Sequence, residues 1–230
     1  MKLPSPEMRD FIGRATMTLY FTFWVTLKTL GLITAIQASG EWTGVRIIDV
    51  VAEIAAICFV SLMVITTVAR LSPLKTAEGV EPRISALIGS FATVTLIAVP
   101  RAQIAPQLEL VADSVTIFGF VLCISCLWWL GRSFSIVAQA RRLVTTGPYR
   151  IVRHPLYVCE TVVLLGIVLR NPKWATVTVC IVCLAFQYRR LINEEKVLRA
   201  AFPEYDEYAR RVPMLLPRVY GAAAPVSGHF

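Results

Sequence analysis

Long apolar runs separated by short polar segments dominate the hydropathy pattern of this sequence. They predict six transmembrane helices, over residues 15–36, 47–69, 84–99, 108–130, 156–169 and 174–188. The last two runs are shorter than the roughly 20 residues that a crossing needs, so we expect a tight helical hairpin that continues beyond its strictly apolar part. Two polar segments of helical composition follow. The pattern therefore predicts an all-α polytopic membrane protein with cytoplasmic C-terminal helices.

Composition supports the membrane assignment. Hydrophobic residues make up 56% of the 230 positions, charged residues only 17%, and the mean hydropathy is +0.64. A soluble domain of this length has about 25% charged residues. The net charge of +8 requires no nucleic acid partner, because membrane proteins concentrate Lys and Arg on their cytoplasmic side.

The distribution of Lys and Arg predicts the orientation. With six crossings, 18 of these residues lie on the side that holds both termini and only four on the opposite side. This bias predicts cytoplasmic termini. We expect a multi-pass protein of the bacterial inner membrane, or of the endoplasmic reticulum in a eukaryote.

One charged residue lies within the first apolar run. Lys28 falls at about the same depth as Glu53 of the antiparallel second run, and an unpaired Lys at this depth is costly. We predict a Lys28–Glu53 ion pair. The alternative is that the Lys28 side chain extends to the aqueous interface.

Six cysteines lie in the apolar segments. Two pairs have the C-x-x-C spacing of metal and redox sites, but no histidine lies near them in the sequence. We interpret them as small packing residues and predict no metal site.

A polar, basic stretch at 139–160 separates the fourth and fifth apolar runs. Pro155 follows His154 and favours a helix start, where exposed backbone N–H groups attract an anionic group. Tyr149 and Tyr157 offer aromatic faces to an adenine ring or a cation. The stretch predicts a nucleotide-like cofactor site at the membrane surface. The alternative is a set of interfacial Arg and Tyr anchors.

A second charged cluster follows the sixth run. Arg190 and Glu194 have i,i+4 spacing and so lie on one helical face. Glu194 could bind a cationic or hydroxyl-bearing cofactor, and the planar fork of Arg190 suits a carboxylate. The alternative is a solvated ion pair. Both clusters fall on the predicted cytoplasmic side, where they could meet.

The C-terminal half carries a recognisable pattern. It consists of the run Leu143-Val-Thr-Thr-Gly-Pro-Tyr-Arg-Ile-Val-Arg-His-Pro-Leu-Tyr157, then Glu194-Glu195, Phe202, Tyr205, Tyr208 and Val212-Pro213. The pattern resembles the isoprenylcysteine carboxyl methyltransferase family and its bacterial and phospholipid-methyltransferase relatives. It covers roughly residues 130–217, and the first three runs show no such match.

The resemblance implies S-adenosyl-L-methionine as cofactor, in a pocket formed by membrane helices and the C-terminal segment. The resemblance and the two charged clusters together give the expected cofactor-binding residues, which are Gln139, Leu143, Val144, Tyr149, Arg153, His154, Pro155, Tyr157, Glu194 and Glu195. Arg190 and Glu194 are the expected catalytic residues, with Arg190 on the substrate. Arg141 and Arg142 are weaker matches because the linker after Gln139 is short, and Cys159 stands where the family commonly has Gly.

The implied chemistry is an in-line methyl transfer from a sulfonium. A carboxylate acceptor is already ionised at neutral pH, so the protein has only to align the reactants and exclude water. Arg190 would hold the acceptor and Glu194 the donor. An amine acceptor, as in phospholipid methylation, would require a base, for which Glu195 or His154 is the candidate.

The leading function is therefore a membrane methyltransferase acting on a lipidic or isoprenoid acceptor, with the bilayer and a lipophilic or lipidated molecule as its partners. The alternatives are a phospholipid N-methyltransferase, an NADPH-dependent membrane reductase similar to sterol reductases, and a non-catalytic membrane scaffold. We predict N-terminal transmembrane helices at 1–105, a methyltransferase core at 106–218 and a flexible tail at 219–230.

Overall fold

The computed structural model describes residues 6–217, and helices account for most of them. The α-helices in this range are α1 (Pro6–Gln37), α2 (Gly44–Ala69), α3 (Glu81–Phe91), α4 (Pro106–Leu130), α5 (Pro155–Arg170), α6 (Trp174–Ala201) and α7 (Tyr205–Arg211). Short 3₁₀ helices span Ala92–Ala98, Gly131–Ser133 and Gly147–Arg150. The prediction of an all-α polytopic membrane protein is confirmed. The predicted tail lies outside the described residues.

Within residues 6–217, four helical segments are long and apolar enough to cross a membrane. They are Asp10–Gln37, Gly44–Ala69, Pro106–Ser133 and Trp174–Ala201. Large apolar side chains on their outer surfaces are exposed, such as Leu19 and Phe118, as expected for helices surrounded by lipid. The count of six crossings stays a prediction, because α3 and α5 are shorter.

The third predicted span changes its helical form halfway. The α3 helix continues directly into the 3₁₀ helix Ala92–Ala98, and a 3₁₀ helix rises about 2.0 Å per residue instead of about 1.5 Å. Together they extend about 30 Å, close to the thickness of the hydrocarbon core. The sixteen residues of α5 extend only about 24 Å.

The segments predicted to share one side of the membrane meet at one end of the helical bundle. Asp10 near the start of α1 pairs with Arg70 after α2 at 2.9 Å. Two short antiparallel strands, β1 (Lys75–Thr76) and β2 (Gln139–Ala140), join the loop after α2 to the loop after α4. That these segments lie on one side of the membrane stays a prediction. Which side faces the cytoplasm stays a prediction.

Helix α6 is longer than expected. The sixth span and the polar segment after it form one continuous helix, Trp174–Ala201, because no Gly or Pro interrupts them. Arg190 and Glu194 therefore lie on a rigid element. Helix α1 also begins earlier than the predicted residue 15.

Helices α4 and α5 pack with close backbone approach. A Cβ atom added at Gly119 would lie 2.7 Å from the Val163 side chain, and one at Gly166 would overlap Thr116. Small residues allow such packing between membrane helices. This contact holds α4 against the second half of α5, whose N-terminal end carries part of the site.

The predicted ion pair between the first two helices is present. The Lys28 Nζ atom donates a hydrogen bond to Glu53 Oε2 at 2.8 Å. Because both side chains are partly exposed and each partner neutralises the other, neither charge is left unpaired among lipid chains.

Candidate functional site

An open pocket of about 740 Å³ lies at the end of the bundle where the loop 131–154 meets the C-terminal part of α6. Both predicted clusters contribute to its wall. The lining residues are Leu130, Ser133, Phe134, Ser135, Gln139, Arg141, Arg142, Leu143, Val144, Tyr149, Arg153, His154, Leu156, Tyr157, Arg190, Glu194, Leu198, Tyr205 and Tyr208. The predicted site residues Pro155 and Glu195 are not among them.

The two clusters meet through Tyr157. Its hydroxyl donates a hydrogen bond to Glu194 Oε1 at 2.8 Å, and the Arg190 guanidinium lies 5.2 Å from its ring centroid. Tyr157 lies in the first turn of α5, whose start is favoured by Pro155. The local sequence at the helix start therefore places an aromatic ring between the catalytic candidates of α6 and the loop.

Arg190 is buried and held on several sides. Its Nη2 donates to the backbone carbonyl of Ser135 at 2.9 Å, and its Nη1 donates to Ser90 Oγ at 3.3 Å. Its Nε atom lies 3.3 Å from Glu194 Oε1. Each Nη nitrogen carries two hydrogens, so one N–H on each is left for a ligand.

Glu195 does not line the pocket and is almost fully buried. Its carboxylate oxygens accept from His154 Nε2 at 2.8 Å and Tyr205 Oη at 2.6 Å. Arg153 and Arg199 pair with the same carboxylate at 3.0 and 2.8 Å. These residues join α6 and α7 to the start of α5, and we refer to them as the Glu195 cluster. The arrangement is that of a structural clamp.

Arg153 also holds the segment after α7. Its Nη1 donates to the carbonyls of Ala209 and Val212 at 2.8 and 2.7 Å. The backbone N–H groups of Arg153 and His154 donate to the carbonyls of Pro213 and Met214. The C-terminal segment therefore lies directly against the loop that lines the pocket.

Three buried tyrosines support the same wall. The Tyr208 hydroxyl donates to the backbone carbonyl of Tyr149, and the Tyr149 hydroxyl donates to the carbonyl of Cys126. Burial raises the pKa of Tyr149 well above its usual value and that of Tyr208 to about 12. Burial, together with the hydrogen bond to Glu195, also raises the pKa of Tyr205. All three phenols are therefore protonated donors at neutral pH.

The turn at Gly147 closes the loop over α4. Gly147 has a φ of 60°, in the left-handed region that glycine favours. Its missing side chain also makes room for the Trp129 ring, which an added Cβ atom would overlap. Only glycine fits both requirements at this position.

Part of the pocket depends on a contact that the sequence did not predict. The Arg141 side chain is fully buried and pairs with Asp10 of α1 at 3.1 Å. Its Nη2 also donates to Gln139 Oε1, which accepts from Ser135 as well. Burial lowers the pKa of Arg141, and Asp10 opposes that effect only in part. No local pattern could have predicted a contact between positions 10 and 141.

Other residues that line the pocket have only weak distinguishing features in the sequence. Tyr205 and Tyr208 have the i,i+3 spacing of one helical face and belonged to the family pattern, but they were not assigned to the site. The segment Ser133 to Ser135 had no distinguishing feature.

The cysteines are free thiols. Cys159 Sγ lies 3.7 Å from Cys126 Sγ, where helices α4 and α5 meet beside the pocket. Within residues 6–217, no group of three or more His, Cys, Asp or Glu side chains is arranged to hold a metal ion. The buried cysteines pack in the apolar core.

Residues 108–205 match the model of the phospholipid methyltransferase family. The chain is also 35% identical to protein-S-isoprenylcysteine O-methyltransferase B of Arabidopsis thaliana over 114 residues, which cover 46% of this chain and 57% of that protein. The resemblance predicted from the sequence is confirmed.

Two bacterial relatives carry different names. The cobalt-zinc-cadmium resistance protein CzcN of Cupriavidus metallidurans is 44% identical over 78 residues, 34% of this chain and 36% of that protein. The nickel-cobalt-cadmium resistance protein NccN of Alcaligenes xylosoxydans xylosoxydans is 39% identical over 82 residues, 35% and 38% of the two chains. The matched segments thus cover little more than a third of these two relatives.

Proposed function

We propose that this chain is an integral-membrane methyltransferase that uses S-adenosyl-L-methionine to methylate a lipophilic acceptor. One observation carries the proposal. Arg190 and Glu194 lie one turn apart on α6 and line the same pocket as the stretch 143–157, which belongs to the matched segment. The pocket opens at the predicted cytoplasmic face, which a soluble cofactor can reach.

The lining residues fit the three parts of this cofactor. Buried Tyr149 and Tyr157 provide aromatic surface for the adenine ring. The Glu194 carboxylate provides a negative charge for the sulfonium, and Arg141, which borders the pocket, provides a positive charge for the amino-acid carboxylate. When bound, the cofactor supplies an activated methyl group.

The residues of the chain then act by positioning. Tyr157 and Arg190 hold the Glu194 carboxylate in one orientation, so its charge is fixed before the ligand binds. Arg190 presents its remaining N–H groups to an acidic group of the acceptor. The buried aromatic wall excludes water. Alignment of two reactants in this way can supply about 7–11 kcal/mol of the barrier.

We propose a carboxylate as the acceptor, because an ionised carboxylate attacks without a base. An amine acceptor would require a base, and Glu195 is one of the two candidates. It is surrounded by four donor side chains and does not line the pocket. His154 binds Glu195 through Nε2, which leaves only Nδ1 as a basic atom.

A phospholipid amine is the second candidate acceptor. The family model that matches residues 108–205 is that of the phospholipid methyltransferases, which favours this alternative. His154 lines the pocket and would then take the proton through Nδ1.

The test is transfer of labelled methyl groups to lipids. Full-length protein in lipid nanodiscs is incubated with methyl-labelled S-adenosylmethionine and a total lipid extract from the source membrane. We expect label in the lipid fraction that mild base releases as methanol, as for a methyl ester. Base-stable label in an N-methylated headgroup would favour the second candidate, and no labelled lipid would contradict the proposal.

Variants with a matched control test which residues the reaction requires. We expect Arg190→Gln and Glu194→Gln to lower the rate at least about 100-fold, the size of effect seen when one preorganised polar contact is removed. Arg189→Gln is the control, since Arg189 is adjacent but exposed and pairs with Glu81. Stabilisation by NADPH and not by S-adenosylhomocysteine in a thermal shift measurement would favour the reductase alternative.

A further inference from the structure

A polar pair joins helices α5 and α6 within their predicted membrane spans. The Gln187 Nε2 atom donates a hydrogen bond to Glu160 Oε2 at 3.1 Å. Glu160 follows Tyr157 by three residues on α5, and Gln187 precedes Arg190 by three residues on α6, so each lies about one turn from a residue of the pocket. The pair therefore lies on the membrane side of Tyr157 and Arg190.

Glu160 has fewer partners than the other carboxylates around the pocket. It is half-buried, and Gln187 is its hydrogen-bond partner among residues 6–217, which leaves its Oε1 atom free. In the same range no cation pairs with it as Arg190 pairs with Glu194, although the charges of both residues act on it. A carboxyl group in a membrane span is costly and normally has a functional partner. A free oxygen at this position indicates a hydrogen-bond donor supplied by a ligand.

The contact between α5 and α6 can admit such a ligand. Helix α5 packs far more extensively against α4 than against α6. Helix α3 holds α6 at the level of the pair, because a Cβ atom added at Gly89 would lie only 3.1 Å from the Gln187 backbone nitrogen. Near the pocket, side chains bridge α5 and α6, from Tyr157 to Glu194 and from Glu160 to Gln187. These side chains can bind a polar group without displacement of either backbone.

We propose that Glu160, held by Gln187, accepts a hydrogen bond from an N–H or O–H group of the lipophilic acceptor, whose methylated group lies in the pocket. The inference rests on the proposed function and specifies its substrate class. Three residues of a helix rise about 4.5 Å, so the donor lies only a few bonds from the methylated atom. The acceptor is therefore a lipid with a donor group in its polar head, and its chain extends toward the bilayer.

The first test is the structure of the labelled lipid. Full-length wild type in nanodiscs is incubated with methyl-labelled S-adenosylmethionine and a total lipid extract from the source membrane, and the labelled product is identified by tandem mass spectrometry. We expect an acceptor with an amide, ammonium or hydroxyl donor a few bonds from the methylated atom. A methyl ester of an acid without such a donor, such as a plain fatty acid, would overturn the inference and leave the proposed function intact.

Variants test whether Glu160 binds that donor. Glu160→Leu removes both oxygens, and we expect the apparent KM for the lipid extract to rise about tenfold or more, as for loss of a hydrogen bond to a charged group. The dissociation constant of S-adenosylhomocysteine, measured by calorimetry, should stay unchanged. Gln187→Leu should raise the KM by a smaller factor, because Glu160 remains but loses its fixed orientation.

Thr161→Val is the matched control. Thr161 is the next residue on α5, is exposed, and donates its hydroxyl to the Tyr157 backbone carbonyl at 2.9 Å. The change removes a polar group from the same turn without touching the Glu160–Gln187 pair. We expect both the KM for the lipid extract and the affinity for S-adenosylhomocysteine to equal those of wild type.

Glu160→Gln identifies the type of donor. The amide oxygen of Gln still accepts from a neutral N–H or O–H group, so the KM should then rise only slightly. An ammonium donor requires the negative charge, so the KM should then rise as far as in Glu160→Leu. Either result supports the subsite and selects between the two kinds of donor.

The outcomes separate the inference from the proposed function. If Glu160→Leu keeps the wild-type KM, or weakens S-adenosylhomocysteine by the same factor as the acceptor, the inference is wrong and the proposed function stands. If wild type transfers no label to any lipid, the proposed function itself is wrong. The structure of the wild-type product tests the inference even where a variant fails to fold.

Discussion

The two clusters at the end of the helical bundle are each centred on one buried carboxylate, but they differ in how fully their donors are used. Glu195 accepts from His154 and Tyr205 and pairs with two arginines, and none of these residues has a buried unpartnered atom within the described chain. The second cluster, which we call the Asp10 cluster, consists of Asp10 and the three arginines that pair with it, Arg14, Arg70 and Arg141. Four of its buried nitrogens have no partner among the described residues.

This difference separates a fully satisfied clamp from a cluster that still has unused hydrogen-bond donors. A fully satisfied polar network makes the fold rigid, whereas a partly satisfied one is costly unless something else completes it. Arginine content alone would not separate the clusters, because both are rich in Arg. The unpartnered atoms are what separates the two clusters.

The largest loss of stability is expected in the Glu195 cluster. Glu195→Gln removes the charge that compensates Arg153 and Arg199, so we expect a loss of about 3–5 kcal/mol in the free energy of unfolding. Unfolding in mixed micelles measures the loss. The control is Glu194→Gln, on the next residue but facing the pocket, which should lose no more than about 1 kcal/mol. Equal losses would contradict the distinction between clamp and site.

The next largest loss of stability is expected in the loop between α4 and α5, which links the two clusters. Gly147→Ala places a Cβ atom against Trp129 at a positive φ, and we expect a loss of about 1–3 kcal/mol in stability. Weaker binding of S-adenosylhomocysteine should accompany it. Gly31→Ala is the control, because Gly31 lies within α1 and nothing lies within 4 Å of its added Cβ atom. That variant should be neutral or slightly stabilised.

A smaller effect is expected at Tyr208, whose hydroxyl binds the Tyr149 carbonyl. Tyr208→Phe should lose about 1 kcal/mol at neutral pH. The native pKa is raised from 10.0 to about 12, so the contribution is complete below pH 10 and is lost as the pH rises toward 12. Thermal melts of both proteins over this pH range should converge. A constant difference would show that the hydroxyl is not the cause.

The smallest effect is expected at the edge of the Glu195 cluster. Arg199 is partly exposed and pairs with both Glu195 and Asp206. Because water screens such a pair, Arg199→Gln should lose less than about 1 kcal/mol. A loss as large as that of Glu195→Gln would mean that the clamp depends on its exposed member.

Much of the fold followed from the sequence. Apolar runs are long enough to identify the helices, and the i,i+4 spacing of Arg190 and Glu194 placed both on one face. The Lys28–Glu53 pair could be predicted because an unpaired charge in lipid is so unfavourable that a partner at equal depth is expected. These inferences depend on local periodicity and on the depth of a residue within the membrane. Both can be read directly from the sequence.

The rest depends on three-dimensional packing. Glu194 and Glu195 are adjacent in sequence, but consecutive residues point about 100° apart on a helix, so one lines the pocket and the other joins the clamp. Whether Glu194 or Glu195 faces the pocket depends on how α6 is rotated against α5 and α7. The contact between Asp10 and Arg141 spans most of the chain, and no periodicity links the two positions.

The glycine contacts between α4 and α5 have a consequence for motion. With Val163 lying against Gly119 and Thr116 against Gly166, neither helix can slide or rotate without a collision between backbones. The two helices therefore move as one rigid unit. Any widening that admits a bulky lipid to the pocket must come from displacement of the flanking elements, and an engineered cross-link between α4 and α5 would leave turnover unchanged.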